Sequence, residues 1–440
     1  MAADPATLSA IDLRDRLAEG LISASAVADA FIARVEATEP QIGAWAWFDA
    51  DYVRKQAAAL DARRKAGQPI GPLHGVPVGV KDIIDTMRVP TENGAASDAG
   101  RVPRRDALLV GRLKAAGALI LGKTVTTELA FLHPSNTRNP HDPERTPGGS
   151  SSGSAAAVAA GMVPLAVGTQ TGGSVIRPAS FCGVTGFKPT FDAIPTQGVL
   201  PQSPSLDTVG VFARDPRDAA LLCDTLMGPT EGDVPLPAPA ILSTVQKGAP
   251  LEPVFAVLTP PHADRAHPDT MAAMAELSEA LGDRAFPVDL PPVFDQAEEV
   301  RRRINLAEMA RCYHAYGERG GLAQVTQDAI DEGNTILARD YISALDWPKV
   351  LNAVLDEVFA RCDAILCPAA PCPAPGRETT GDAIFNGLWT LCGVPTATVP
   401  ILSVDDMPLG VQLIGARGND ARVLRTAQWL YDWTETEDDA

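Results

Sequence analysis

The stretch that most restricts what this chain can fold into is 146–176, "TPGGSSSGSAAAVAAGMVPLAVGTQTGGSVI", which carries no charged side chain. It is long enough to cross a bilayer, but Gly, Ser and Ala dominate it and would make a poor membrane helix. Such a stretch belongs inside a protein. It reads as a glycine-serine loop opening a helix of small residues, then the short strand "VPLAVGT", then a second glycine turn ending at Ser174. Small side chains on that helix imply close approach to neighbouring backbone, and a helix leading into a strand is the step of an α/β fold.

The same step recurs. "DALLVGRLKAAGALILGKT" reads as a helix, a cap at Gly117 and a strand, and "LHGVPVGVKDIID" contains an apolar run of strand length. Apolar spacing predicts two amphipathic helices over 7–37 and another over 50–66, stopped by Gly67 to Pro72. "PVFAVLTP" and "CDAILCPAAP" read as strands, 268–282 as a helix and 291–360 as mainly helical. The chain closes with a strand and a helix in "PLGVQLIGARGNDARVLRTAQWLYDW". The expected organisation is one α/β domain over 1–440. It has a helical N-terminal apron (1–70), a catalytic core (71–215), a Pro/Gly/Ala-rich variable loop (228–253) and a helical substrate-side region (291–360).

Bulk properties narrow the class of partner. The formal net charge of −18 repels phosphate backbones, so a small-molecule substrate is expected and nucleic acid is not. The N-terminus lacks a secretory pattern, and no stretch reads as a membrane span. Seven cysteines, an odd number in a long chain, fit a reducing cytoplasm. Cys362, Cys367 and Cys372 have the wrong spacing for zinc, and no metal is expected there. Gly148 and Gly153 have the spacing of a phosphate loop, but Ser154 stands where that loop needs lysine, so no nucleotide or other cofactor is expected.

Two residues invite a chemical reading. Ser174 follows Gly172 and Gly173. It can be a turn serine or helix cap, or a nucleophile whose own N–H joins those of Thr171, Gly172 and Gly173 around a developing oxyanion. A nucleophile needs a base, and none of the six histidines sits in a familiar hydrolase setting. Lys81 ends the apolar run "GVPVGV". It is either solvated or, if buried, stripped of its proton by desolvation and able to act as a base.

"GPLHGVPVGVKDIIDT", "NTRNPHDPERTPGGSSSGSAAAVAAG" and "GTQTGGSVIRPASFCGVTGFKPT" resemble the three central blocks of the amidase signature family. "SLDTVGVFARDPRDAALL" and "MPLGVQLIGARGNDARVL" are similar to its downstream blocks. The resemblance covers most of the chain and is weakest over 228–300. It implies a large twisted mixed β-sheet flanked by α-helices on both faces. It also implies a Ser–cis-Ser–Lys triad, with Ser174 as nucleophile, Ser150 as bridging serine after a cis Gly149–Ser150 peptide, and Lys81 as base. Thr171, Gly172, Gly173 and Ser174 match the family's oxyanion hole.

Two departures bear on substrate. Gln170 stands where Asp is usual, and Arg177 lies three residues beyond the nucleophile rather than two. This variant is similar to malonamidase-like members, in which Arg binds a substrate carboxylate; an internal pairing role for Arg177 stands beside that reading. Gln170 and Ser151 are further candidate substrate-binding residues. Pocket walls are expected from 125–140, 300–345 and 371–390, with Phe385 and Trp389 as apolar walls or as core.

The resemblance implies a serine hydrolase cutting C–N bonds of amides, and by the same chemistry carbamates (a urethanase), anilides or esters. The alternatives are the glutamine-hydrolysing subunit of a tRNA amidotransferase and a hydrolase of malonamate-type amides. Dimers occur in the family, so a homodimer is one expected assembly.

Overall fold

The structure is a computed structural model that describes residues 4–228 and 240–438. Eleven strands form one mixed sheet: β1 (Trp45–Phe48), β2 (Pro77–Lys81), β3 (Leu119–Thr124), β4 (Leu165–Gln170), β5 (Thr185–Lys188), β6 (Thr208–Ala213), β7 (Phe255–Leu258), β8 (Ala285–Val288), β9 (Ala364–Pro368), β10 (Thr396–Val404) and β11 (Met407–Ile414). Their order is β1-β3-β2-β4-β6-β5-β10-β11-β9-β7-β8. β2 lies between β3 and β4 and runs parallel to both. All residues of these three strands are buried, which explains why "PVGVK", "LILGKT" and "LAVGTQ" read as continuous apolar runs rather than alternating ones. Their carboxyl ends therefore lie side by side, where α/β sheets present functional groups.

The N-terminal helices follow their sequence signals. Ala10–Glu19 is capped by the Ser9 side chain and ends at Gly20 in the left-handed region; Ala24–Ile42 is capped by Ser23, and Ala50–Lys65 by Asp49. Their apolar stripes, Leu13, Leu17, Val27, Phe31 and Val35, are buried in the main core. The 291–360 region holds five helices: Ala297–Cys312, His314–Arg319, Gln324–Gly333, Ala338–Leu345 and Trp347–Phe359. Of the loop expected over 228–253, residues 229–239 lie outside the described residues. Beyond them Ile241–Gln246 is a helix, its first N–H donated to Asp224 and its Ile241 and Val245 buried.

The helix Ser152–Ala159 contains only Ser, Gly, Ala and Val, and Ser152 to Val158 are all buried. Gly153 shows why. A Cβ there would lie 2.2 Å from the Ala44 carbonyl oxygen and 2.4 Å from the Val125 nitrogen. The helix thus rests directly on backbone, and its N-terminal loop is held against the ends of β2 and β4.

Candidate active site

Three segments meet at the ends of the central strands. β2 ends in Lys81, the loop before the helix Ser152–Ala159 supplies Ser150, and β4 runs through Thr169 and Gln170 into the loop carrying Ser174. Lys81 is 0% exposed. Its Nζ lies 2.8 Å from Ser150 Oγ and 2.9 Å from Thr169 Oγ1. Burial pushes this amine well below the ordinary lysine range, and the nearby Asp207 carboxylate only partly opposes the shift. Both causes of the shift are local: the amine is buried, and Asp207 acts on it from nearby.

Ser150 is buried, and the Gly149–Ser150 peptide is cis. The Gly149 carbonyl accepts a 2.7 Å hydrogen bond from Arg177 Nη2, which also donates to Thr380 Oγ1 at 3.3 Å. Arg177 is 2% exposed, and burial pulls it down to about 10, so it stays a cation at neutral pH. The internal pairing reading of Arg177 matches these contacts. One guanidinium nitrogen fastens the peptide that orients Ser150, while the residue also borders the substrate cavity.

Ser174 is half-buried and opens, with Thr171, Gly172 and Gly173, onto a cavity of about 320 Å³. Among the described residues its hydroxyl makes no side-chain hydrogen bond; such contacts commonly tighten only once substrate binds. The glycine loop is held at several points. Thr171 Oγ1 donates to Asp207 Oδ1 at 2.6 Å, and the Gly172 carbonyl accepts from Thr390 Oγ1 at 2.7 Å. A Cβ at Gly173 would fall 2.5 Å from Asn386 Oδ1 and 3.0 Å from Ala383 Cβ, so a side chain there would require Asn386 to shift.

Two candidates from sequence lie away from substrate. The Gln170 side chain accepts from the backbone N–H groups of Val175 and Ile176 at 2.9 and 3.0 Å and donates to Thr390. It shapes the turn after Ser174 instead of facing the cavity. Ser151 donates to the Thr169 carbonyl at 3.2 Å and accepts from the Thr169 N–H at 3.3 Å, tying the helix to β4. Phe385 and Trp389 are both buried and line, with Phe294 and Leu388, a separate small recess rather than this cavity, and Trp389 belongs to a hydrophobic core cluster.

The outer cavity wall comes from Ala297–Cys312 and Gln324–Gly333, within the region expected to face substrate. It is charged: Arg301 forms a two-point pair with Glu298 at 2.8 and 2.6 Å, and Arg302 pairs with Glu332. Sequence reasoning missed Gln202, Asp207 and Glu298. The one signal for Asp207 was its place in the block "SLDTVG". Among the described residues, no cluster of three His, Cys, Asp or Glu side chains could hold a metal ion, and no helix is long and apolar enough to cross a membrane.

A family model described as Amidase matches residues 26–424. A chain named as one of the subunits of glutamyl-tRNA(Gln) amidotransferase, from Symbiobacterium thermophilum, is 35% identical, over 96% of this chain and 96% of its own. Among solved structures, a chain from a complex described as vestigial and as revealing the origins of an s-triazine catabolic enzyme superposes with TM-score 0.88 at 30% identity, covering 97% of this chain and 98% of that one. The native peptide amidase from Stenotrophomonas maltophilia superposes with TM-score 0.84 at 26% identity, covering 98% and 97%. These relatives correct one expectation. A small-molecule substrate and no nucleic-acid partner, inferred from net charge, do not stand beside relatives named as subunits of a tRNA amidotransferase. Net charge sums over the whole surface and does not exclude a contact made locally or through another subunit.

Proposed function

The chain belongs to the amidase family, and from that premise we propose that it cleaves a carboxamide C–N bond through an acyl-enzyme on Ser174, with Ser150 and Lys81 as its proton relay. The observation that carries this reading is the fully buried Lys81 amine 2.8 Å from Ser150 Oγ, with no carboxylate among the described residues hydrogen-bonded to it. Thr169 holds the other side of Nζ, which leaves the lone pair for Ser150.

In the acylation step Lys81 takes the Ser150 proton as Ser150 takes the Ser174 proton, and Ser174 Oγ bonds to the substrate carbonyl carbon. The oxyanion is held by backbone N–H groups of Thr171 to Ser174. As the C–N bond breaks, the relay returns a proton to the leaving nitrogen, and water then hydrolyses the ester by the same path in reverse.

Glutamine hydrolysis within a tRNA amidotransferase is the substrate reading the relatives favour. The charged cavity wall supports it, because paired Arg301–Glu298 and Arg302–Glu332 groups suit a substrate that bears both an ammonium and a carboxylate. A stand-alone amidase, with carbamates, anilides, esters and malonamate-type amides within reach of the same acyl transfer, is the second reading. It is favoured by the likeness to the peptide amidase. The test measures ammonia from glutamine with the chain alone and with amidotransferase partner subunits and glutamyl-tRNA, beside a panel of simple amides. Glutaminase activity only in the assembly supports the first reading; turnover of simple amides by the chain alone supports the second. Undiminished turnover by Ser174→Ala in either setting would sink both.

A further inference from the structure

Gln202 borders the cavity that holds Ser174, yet it is only 4% exposed. Its Nε2 donates to Asn305 Oδ1 at 3.0 Å, which turns its carbonyl oxygen away from that helix. Among the described residues Gln202 Oε1 has no hydrogen-bond partner. A buried acceptor without a donor is costly, and a built site commonly leaves one open for its ligand. The residue is also held in place: its backbone N–H donates to Asp207 Oδ2 at 2.8 Å, within a turn that Glu308 ties down through Ser203 Oγ at 2.6 Å.

The location says which part of a substrate this acceptor meets. Gln202 lines both the main cavity and a smaller chamber of about 60 Å³, whose lining also includes Thr169 and Thr171. Thr169 touches Lys81 Nζ. Gln202 thus borders both the Ser174 cavity and the chamber of Thr169, the residue that touches the Lys81 amine.

We propose that Gln202 is a specificity-determining residue whose Oε1 accepts an N–H of the scissile amide nitrogen, selecting primary and secondary carboxamides over esters. The idea rests on the amide-hydrolase reading above. An ester has no hydrogen on its leaving oxygen and leaves Oε1 unpaired, whereas an amide satisfies it and is oriented for protonation.

The experiment compares kcat/KM for glutamine and for glutamate γ-methyl ester, with partner subunits present where turnover requires them, in wild type, Gln202→Leu and Gln202→Glu. The leucine variant should lose about tenfold more on the amide than on the ester, the size of one lost hydrogen bond that leaves a buried group unpaired. The glutamate variant keeps an acceptor, and Asn305 can turn its amide to donate to it, so it should retain most of the amide preference. Matching melting temperatures would show that the leucine variant reports on the site rather than on folding. Equal losses on amide and ester, or a glutamate variant that behaves like leucine, would overturn the role of Gln202 while leaving the hydrolase reading intact. A wild type that turns over neither substrate nor any of the simple amides named above, in either setting, would overturn both.

Discussion

Replacing Gly153 by alanine adds one methyl group and should disable the site. That methyl would arrive 2.2 Å from the Ala44 carbonyl oxygen and 2.4 Å from the Val125 nitrogen, against an ordinary contact of 3.4 Å or more. Both obstacles are backbone, so neither can swing aside. The helix Ser152–Ala159 must lift by about 1 Å, a strain of the overpacking kind that costs roughly 1–3 kcal/mol. The 2.9 Å hydrogen bond from Gly153 N–H to the Val125 carbonyl lengthens with it. Ser150 sits three residues upstream in the loop that opens this helix, so its hydroxyl moves relative to Lys81. A misplacement of about 1 Å at reacting groups can cost roughly 100-fold in rate. The assay is kcat and melting temperature for Gly153→Ala beside Gly111→Ala. Gly111 lies on the helix Leu108–Ala115 with nothing within 4 Å of an added Cβ, and alanine there should be neutral or stabilising. Gly153→Ala should lose about two orders of magnitude in kcat and several degrees in melting temperature. Wild-type kcat and stability in that variant would refute the claim that the helix is seated on backbone and that this seating sets the relay.

Three further outcomes follow from the same geometry. Ser174→Ala should lose both turnover and labelling by a fluorophosphonate probe, with the melting temperature unchanged; a labelled alanine variant would place the nucleophile elsewhere. The base works without its proton, so activity should rise with pH along a limb well below the ordinary lysine range near 10.5. Asp207→Asn removes the one charge that raises the Lys81 pKa, so it should move that limb to lower pH; a limb moved upward contradicts the arrangement. Lys188 is wholly buried, donates to the Val394 and Pro189 carbonyls, and is pushed down by burial to about 7. Between that value and 10.5 the unfolded chain binds the extra proton. Stability from this group therefore rises with pH across the window, by about 1.4 kcal/mol per pH unit, and Lys188→Met should remove that slope in denaturant titrations at pH 7.5 and 9. Equal slopes in the two proteins would contradict it.

How much of this was legible in the sequence depended on how local the cause was. Apolar spacing of three and four residues announced the helices within 7–37, and the apolar runs of β2 and β4 announced burial on both faces. Lys81, Ser150 and Ser174 stood out because each sits in an ordered motif, and Lys81 and Ser150 do meet. Gln170 and Ser151 were misassigned to substrate because their bonds are made to backbone within a fold that the motif does not display. Gln202 and Asp207 were not seen at all. Gln202 is defined by Asn305, 103 residues away, and Asp207 by Thr171, 36 residues away. Phe385 and Trp389 could equally have lined a pocket or filled a core. For Trp389 that choice is made by Ala297–Cys312 and Trp347–Phe359, whose apolar residues share its core cluster.

The proposed reactive groups come from the end of β2 and from two glycine-rich loops, between positions 81 and 174, whereas most of the charged outer wall is lent by helices that enter the chain more than a hundred residues later. Reagent and recognition are thus inherited from different stretches of polypeptide. Exchange of the 297–333 segment between homologous chains should retarget such an enzyme while leaving its bond-breaking apparatus untouched, which makes that segment the natural place to look for divergence of substrate.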